Sequence, residues 1–144
     1  MAKAGPVVAV GAVIWRGPGE VLLVRRGKPP RLGEWSLPGG RIEAGETVRQ
    51  ALLREIREET RLAVEIGPLI DVVDFIQPMS AEGGAHHYVL IDFSAHWTGG
   101  DAMPGDDVTE CAWLAPRVAL DRVAWSETRR IIRASANALW QISV

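Results

Sequence analysis

The chain is predicted to form an α/β fold, with a mixed or antiparallel sheet covered by helices. Three observations lead there. Apolar, β-branched runs bounded by Gly and Pro recur along the chain and outnumber the helical stretches. One stretch in mid-chain, residues 47–60, lacks Gly and Pro and spaces its apolar residues as a helix does. A second helical stretch, 126–140, closes the chain. Strands around one central and one terminal helix suit a sheet packed between helices.

The elements follow in order. "VVAVGAVIW" (7–15) is apolar and β-branched, and "GPGE" (17–20) signals a turn into "VLLVRR" (21–26), so the pair reads as a hairpin. "GKPPRLGEW" (27–35) and "SLPGGRIEAGE" (36–46) read as loop and tight turns. In the central helix Val48, Ala51, Leu52 and Ile56 form one buried stripe. "LAVEIGPLIDVVDFI" (62–76) is strand-like with a break expected at Gly67-Pro68, "PMSAEGGA" (78–85) is a loop, and "HHYVLIDFSAHW" (86–97) is a strand. A turn-rich loop (98–107) leads to a short strand, "ECAWLA" (110–115). In the last helix Ser126 is the expected N-cap, and Ile132, Ala136 and Leu139 share a face.

At 144 residues the chain parses as one domain, 1–144, with no repeat or low-complexity linker. A net charge of −2 argues against general affinity for nucleic acid or an acidic membrane. The N-terminal run reads as a strand rather than a signal peptide, and no segment approaches the roughly 18 apolar residues of a membrane span. The single cysteine, Cys111, cannot form an internal disulfide, which fits a cytoplasmic location; it reads as a small buried hydrophobe.

The chemistry concentrates in "REIREETRL" (54–62). At about 100° per residue, Glu55, Glu58 and Glu59 share an arc of roughly 100°. Like charges at these spacings repel by a few tenths of a kcal/mol per pair, a cost better tolerated with a cation among them. Clustered carboxylates suit Mg²⁺ or Mn²⁺. A solvated face laced by Arg54, Arg57 and Arg61 competes with the metal reading at this point. Just upstream, Gly39, Gly40 and Gly45 allow the backbone to approach a ligand closely.

Together these residues resemble the Nudix hydrolases, whose motif is G-x5-E-x7-R-E-U-x-E-E-x-G-U, with U aliphatic. Gly40, Glu46, Arg54, Glu55, Ile56, Glu58, Glu59 and Leu62 match in one register, and Arg61 replaces the motif's second glycine. The likeness extends over roughly residues 7–115. It implies an α/β/α sandwich with a mixed central sheet. It also implies hydrolysis of a nucleoside diphosphate linked to another moiety, with Mg²⁺ as cofactor and Mn²⁺ as a substitute. It makes Glu55, Glu58, Glu59 and the Gly39 carbonyl the metal ligands, with Arg54 and Glu46 in support around Gly40. The base is expected to be Glu55 or an acid of the later loop, Asp106, Asp107 or Glu110, with Asp107 the loop residue chosen. Arg26, Trp35, Phe75 and Tyr88 are expected at the substrate, with His86 or His87 as possible hydrogen-bonding groups beside them.

ADP-ribose or a related NDP-sugar is the leading substrate, and the similarity to small bacterial ADP-ribose pyrophosphatase-like members supports it. A (d)NTP pyrophosphatase that removes oxidised or non-standard nucleotides is the alternative, and a silent nucleotide-binding module the third reading. The expected partner is a nucleotide-type small molecule rather than nucleic acid or membrane, with a homodimer kept open. Arg61 either ends the helix in a left-handed turn, costing about 1 kcal/mol, or stays helical, where a cation suits the C-terminal dipole.

Overall fold

The computed structural model describes residues 5–29, 31–78 and 86–144. The loop expected over 78–85 therefore lies almost wholly outside the described residues. The elements run β1 (Val7–Trp15), β2 (Val21–Arg26), β3 (Trp35–Ser36), β4 (Gly39–Arg41), α1 (Val48–Thr60), β5 (Ala63–Ile76), β6 (His87–Gly99), β7 (Val108–Leu114), α2 (Pro116–Arg122) and α3 (Ser126–Trp140).

The strands form one sheet in the order β3-β2-β1-β6-β5, with β4 added to β1 and β7 to β2. β1 and β6 pair in parallel and the other pairs are antiparallel, so the sheet is mixed. β1 explains the layering. Its side chains alternate between faces. Val10, Ala12 and Ile14 pack with Ala51, Leu52 and Ile56 of α1. Val13 and Trp15 pack with Ala119 and Leu120 of α2 and with Ile131, Ile132 and Ala136 of α3. A strand covered on both sides must be apolar throughout, which is why "VVAVGAVIW" shows no polar alternation. Trp15 is buried, and its indole N–H donates to Ser135 Oγ at 2.8 Å.

Several local expectations change. Gly67-Pro68 does not break β5; the strand continues, with register shifts between Ile66, Leu69 and Asp71. β5 is the sheet's edge, where proline's missing N–H removes no ladder bond that the sheet needs. "GGR" forms the short strand β4, which has no side-chain pattern to betray it. α2 was not anticipated; Pro116 opens it, and only Ala119 and Leu120 are buried. Ser126 begins α3 but does not cap it: Trp125 holds that position without a side-chain cap bond. Among the described residues no helix is long and apolar enough to cross a membrane.

α1 is well bounded. Thr47 caps it through a reciprocal exchange with Gln50. At its other end Arg61 is left-handed, with φ 65° and ψ 12°, and its N–H bonds to Arg57 O. Of the two possibilities for Arg61, the strained one holds. The loop before β7 then satisfies the helix's terminal carbonyls, with Met103 N–H donating to Thr60 O at 3.0 Å and Gly105 N–H to Glu59 O at 3.1 Å. Arg61→Gly should therefore stabilise the protein by about 1 kcal/mol in chemical denaturation; unchanged or lower stability would mean that the Arg61 side chain offsets its backbone strain.

Candidate active site

The site is built by α1 and the turn that precedes it. Arg54 is its organising cation. Its guanidinium reaches Glu46 Oε2 at 2.6 Å and Oε1 at 2.9 Å, Glu55 Oε1 at 2.9 Å, Glu58 Oε2 at 3.2 Å and the Arg41 carbonyl at 3.0 Å. These bonds tie the glycine turn to the helix. Hydrogen bonding to Arg54, and then to the Glu43 N–H, pulls the Glu46 carboxyl down to about 2. The same acids push the Arg54 guanidinium further up.

Glu59 is in a different situation. Its Oε1 accepts from the Gly39 N–H at 2.8 Å, and Arg26 is the cation whose charge acts on it. Burial pushes it up to about 8, offset partly by that hydrogen bond and aggravated by Glu55. Burial also raises Glu55, against the pull of Arg54. Gly40 is required by close approach: a Cβ there would sit 2.5 Å from the Glu55 carboxylate.

A cavity of about 690 Å³ opens beside these groups. Glu55, Glu59, Gly39 and Gly40 line it together with Arg26, Lys28, Asp106 and Asp107. Phe75 and Tyr88 reach the same cavity from β5 and β6, stacked with centroids 6.3 Å apart. Trp125 meets Phe75 edge-on at 5.0 Å, and Arg31 lies 4.8 Å over the Phe75 ring.

Other expected residues are not brought there. Arg54, Glu46 and Glu58 adjoin the lining residues without lining the cavity, joined through Arg54. Trp35 packs elsewhere, under the Arg122 guanidinium at 5.4 Å. Glu110 pairs with Arg25 at 3.5 Å and His87 with Asp74 at 2.8 Å; Asp107 does line the cavity, paired there with Lys28 at 2.7 Å. Cys111 is half-buried and pushed up to about 11, chiefly by burial, as a packing thiol would be.

The sequence reading missed Asp92, Lys28, Trp125, Glu127 and Thr128, all of which line the cavity. Alternation along β6 was the available signal for Asp92, which shares a face with Tyr88 and Leu90.

Among the described residues no three His, Cys, Asp or Glu side chains converge as a finished metal-ligand set. The donor chemistry nevertheless fits a hard divalent cation. Glu55 and Glu59 line one cavity, both desolvated.

Comparison with known proteins agrees with this architecture. A family model described as "NUDIX domain" matches residues 5–134. A Mycobacterium tuberculosis protein named putative 8-oxo-dGTP diphosphatase 2 is 51% identical over 109 residues, covering 75% of this chain and 72% of its own. An ADP-ribose pyrophosphatase of Methanocaldococcus jannaschii is 36% identical over 120 residues, covering 81% and 68%. The crystal structure of a MutT NUDIX hydrolase from Burkholderia pseudomallei superposes with a TM-score of 0.74 at 33% identity, covering 90% of this chain and 97% of that one. Some relatives are much longer, and the chain spans 40%, 25% and 39% of three of them. A match that starts before β1 and runs into α3 takes in the whole sheet and the glutamate helix, and on it the chain belongs to the Nudix hydrolase family.

Proposed function

We propose that the chain hydrolyses the pyrophosphate bond of a nucleoside diphosphate joined to another moiety, ADP-ribose or a related nucleotide sugar. The products would be a nucleoside monophosphate and the phosphorylated moiety. The observation that carries this reading is the meeting in one cavity of desolvated carboxylates, Glu55 and Glu59, and the cations Arg26 and Lys28. The acids suit a divalent ion; the cations suit the substrate's phosphates.

Glu59, Glu55, Glu58 and the Gly39 carbonyl would hold Mg²⁺, with Mn²⁺ as a substitute. A divalent ion there would neutralise pyrophosphate charge and acidify a bound water. Arg54 fixes Glu55 and Glu58 and keeps the turn closed on the helix. For the proton of the attacking water we favour Glu55, which faces the cavity with a raised affinity for protons. Asp107, the loop alternative, is occupied by Lys28. Phe75 and Tyr88 offer a stacking surface for a base. The M. jannaschii relative's name supports a nucleotide sugar. We place the protein in the cytoplasm.

A second reading, hydrolysis of oxidised or non-standard (d)NTPs, draws support from the 51% identical relative's name. The glutamate helix serves the pyrophosphate in either case. A silent binding module is the weaker reading, because the motif carboxylates are all present.

Three outcomes test the proposal. Glu58→Gln and Glu59→Gln should each lower kcat by orders of magnitude with the fold intact; near-wild-type turnover in either removes it from the metal set. The second uses metal-free protein. Glu59 binds a proton more tightly folded than unfolded, so stability should fall as pH rises from about 4.5 towards about 8. Glu59→Gln should flatten that fall in thermal melts with chelator, and an unchanged slope counts against its burial as a charge. The third is a substrate panel with Mg²⁺. AMP should be released from ADP-ribose; pyrophosphate from dNTPs without AMP from ADP-ribose would establish the second reading instead.

A further inference from the structure

The face of the sheet beneath α3 carries a carboxylate that the proposed chemistry does not use. The register places Asp71, Val73 and Phe75 of β5 beside Asp92, Leu90 and Tyr88 of β6. On the far side of β6, the β1 partners of Tyr88, Leu90 and Asp92 are Val7, Ala9 and Gly11. Ala9 and Gly11 are too small to cover this face, so the cavity deepens over them. Gly11 is needed for this: a Cβ there would lie 2.7 Å from Asp92 Oδ1.

Asp92 is only 8% exposed, and burial with the charges of Asp71 and Arg130, rather than a hydrogen bond, governs its carboxyl. The cation that influences it, Arg130, is held by Asp71 and Glu127, each at 2.9 Å. Burial pushes Asp92 up to about 6, with Asp71 adding to the rise and Arg130 opposing it. At pH 7.5 it is therefore an ionised, acceptor-only group facing the cavity. A buried charge is costly, and a ligand's donors would lower that cost.

Its position says which donors. Along β6, Asp92 lies four residues from Tyr88, about 13 Å. Across the sheet it is followed by Gly11 and then Gly39, two strand spacings or about 10 Å in all. Gly39 holds Glu59. Asp92 thus stands at the corner where the strand row leading to the aromatic rings meets the cross-sheet row leading to Gly39 and the acidic wall. In a nucleotide, the group between base and phosphates is the ribose, and a carboxylate complements its two neighbouring hydroxyls, accepting from both.

We propose that Asp92 is a specificity-determining residue that accepts hydrogen bonds from the 2′,3′-diol of the substrate's nucleoside, selecting ribonucleotides over 2′-deoxyribonucleotides. This rests on the nucleotide reading above and deepens it, since a diol requirement favours nucleotide sugars over dNTPs.

The test separates the two readings by measuring binding as well as turnover. Calorimetry with AMP and 2′-deoxy-AMP needs no hydrolysis. Wild type should bind AMP tenfold or more tightly than its deoxy counterpart, and Asp92→Asn and Asp92→Ala should reduce that ratio to about threefold or less. With Mg²⁺, kcat/KM for ADP-ribose should fall in both variants mainly through KM, with kcat nearly retained. Asp92→Asn should melt no lower than wild type, because it removes a buried charge. No preference in wild type, a preference kept in both variants, or equal loss on ribo and deoxy ligands overturns the diol assignment. A lower melting temperature in Asp92→Asn with discrimination unchanged assigns Asp92 to the fold and also overturns it. A ribose preference lost in the variants, without hydrolysis of any substrate, keeps the diol site and removes only the activity.

Discussion

The site depends on one cation. α1 carries three glutamates within a single arc, and the turn before it adds a fourth, Glu46. Alone, such an arrangement would repel itself and loosen the turn. Arg54 resolves this with one planar fork that binds Glu46 on two nitrogens and reaches Glu55, Glu58 and the Arg41 carbonyl. A lysine could not satisfy four directions at once. The fork leaves out Glu59, which is the most deeply desolvated of the four. Ion-paired and desolvated carboxylates thereby lie on neighbouring turns of one helix.

The sheet supplies the frame for that division. β1 buries both of its faces, so α1 on one side and α2 with α3 on the other are held to a common strand. Its N-terminal half also carries Ala9 and Gly11, where the absence of bulk opens the cavity beneath α3. The same strand therefore anchors the core at Val13 and Trp15 and vacates space four residues earlier. A closed-off polar chain on this face runs from Trp15 through Ser135 to Ser94, with Ser94 and Ser135 at 2.6 Å. Asp92, which the cavity reaches, stands apart from that chain.

The legible parts of the sequence were those with a period or a fixed spacing. The stripe of Ala51, Leu52 and Ile56 marked α1, and long β-branched runs marked β1, β2 and β6. The spacing from Gly40 to Leu62 marked the glutamate helix and its turn. The less legible parts lacked a period. β4 is made of Gly39, Gly40 and Arg41, and its pairing comes from β1 rather than from its own side chains. α2 shows too short an apolar pattern to stand out. Gly67-Pro68 looks like a break because a central strand could not tolerate it, and nothing in the sequence says that β5 is an edge.

The sequence by itself determined the helix that carries Glu55, Glu58 and Glu59, the turn that meets it, and the family to which both belong. Helical geometry converts spacing directly into a shared face. The tertiary structure alone decided which of those carboxylates reach the cavity, because that depends on where Arg54 finds its partners and where β4 lies against β1. It decided that Trp35 packs away under Arg122 while Trp125 joins Phe75. It also decided that Arg61 ends its helix left-handed, which suits a loop returning to cover the helix's last carbonyls. Asp92 shows the difference most plainly. On the chain it is one acid in an apolar strand, and only the register with Gly11 places its largely buried carboxylate in the cavity that the aromatic rings and the glutamates share.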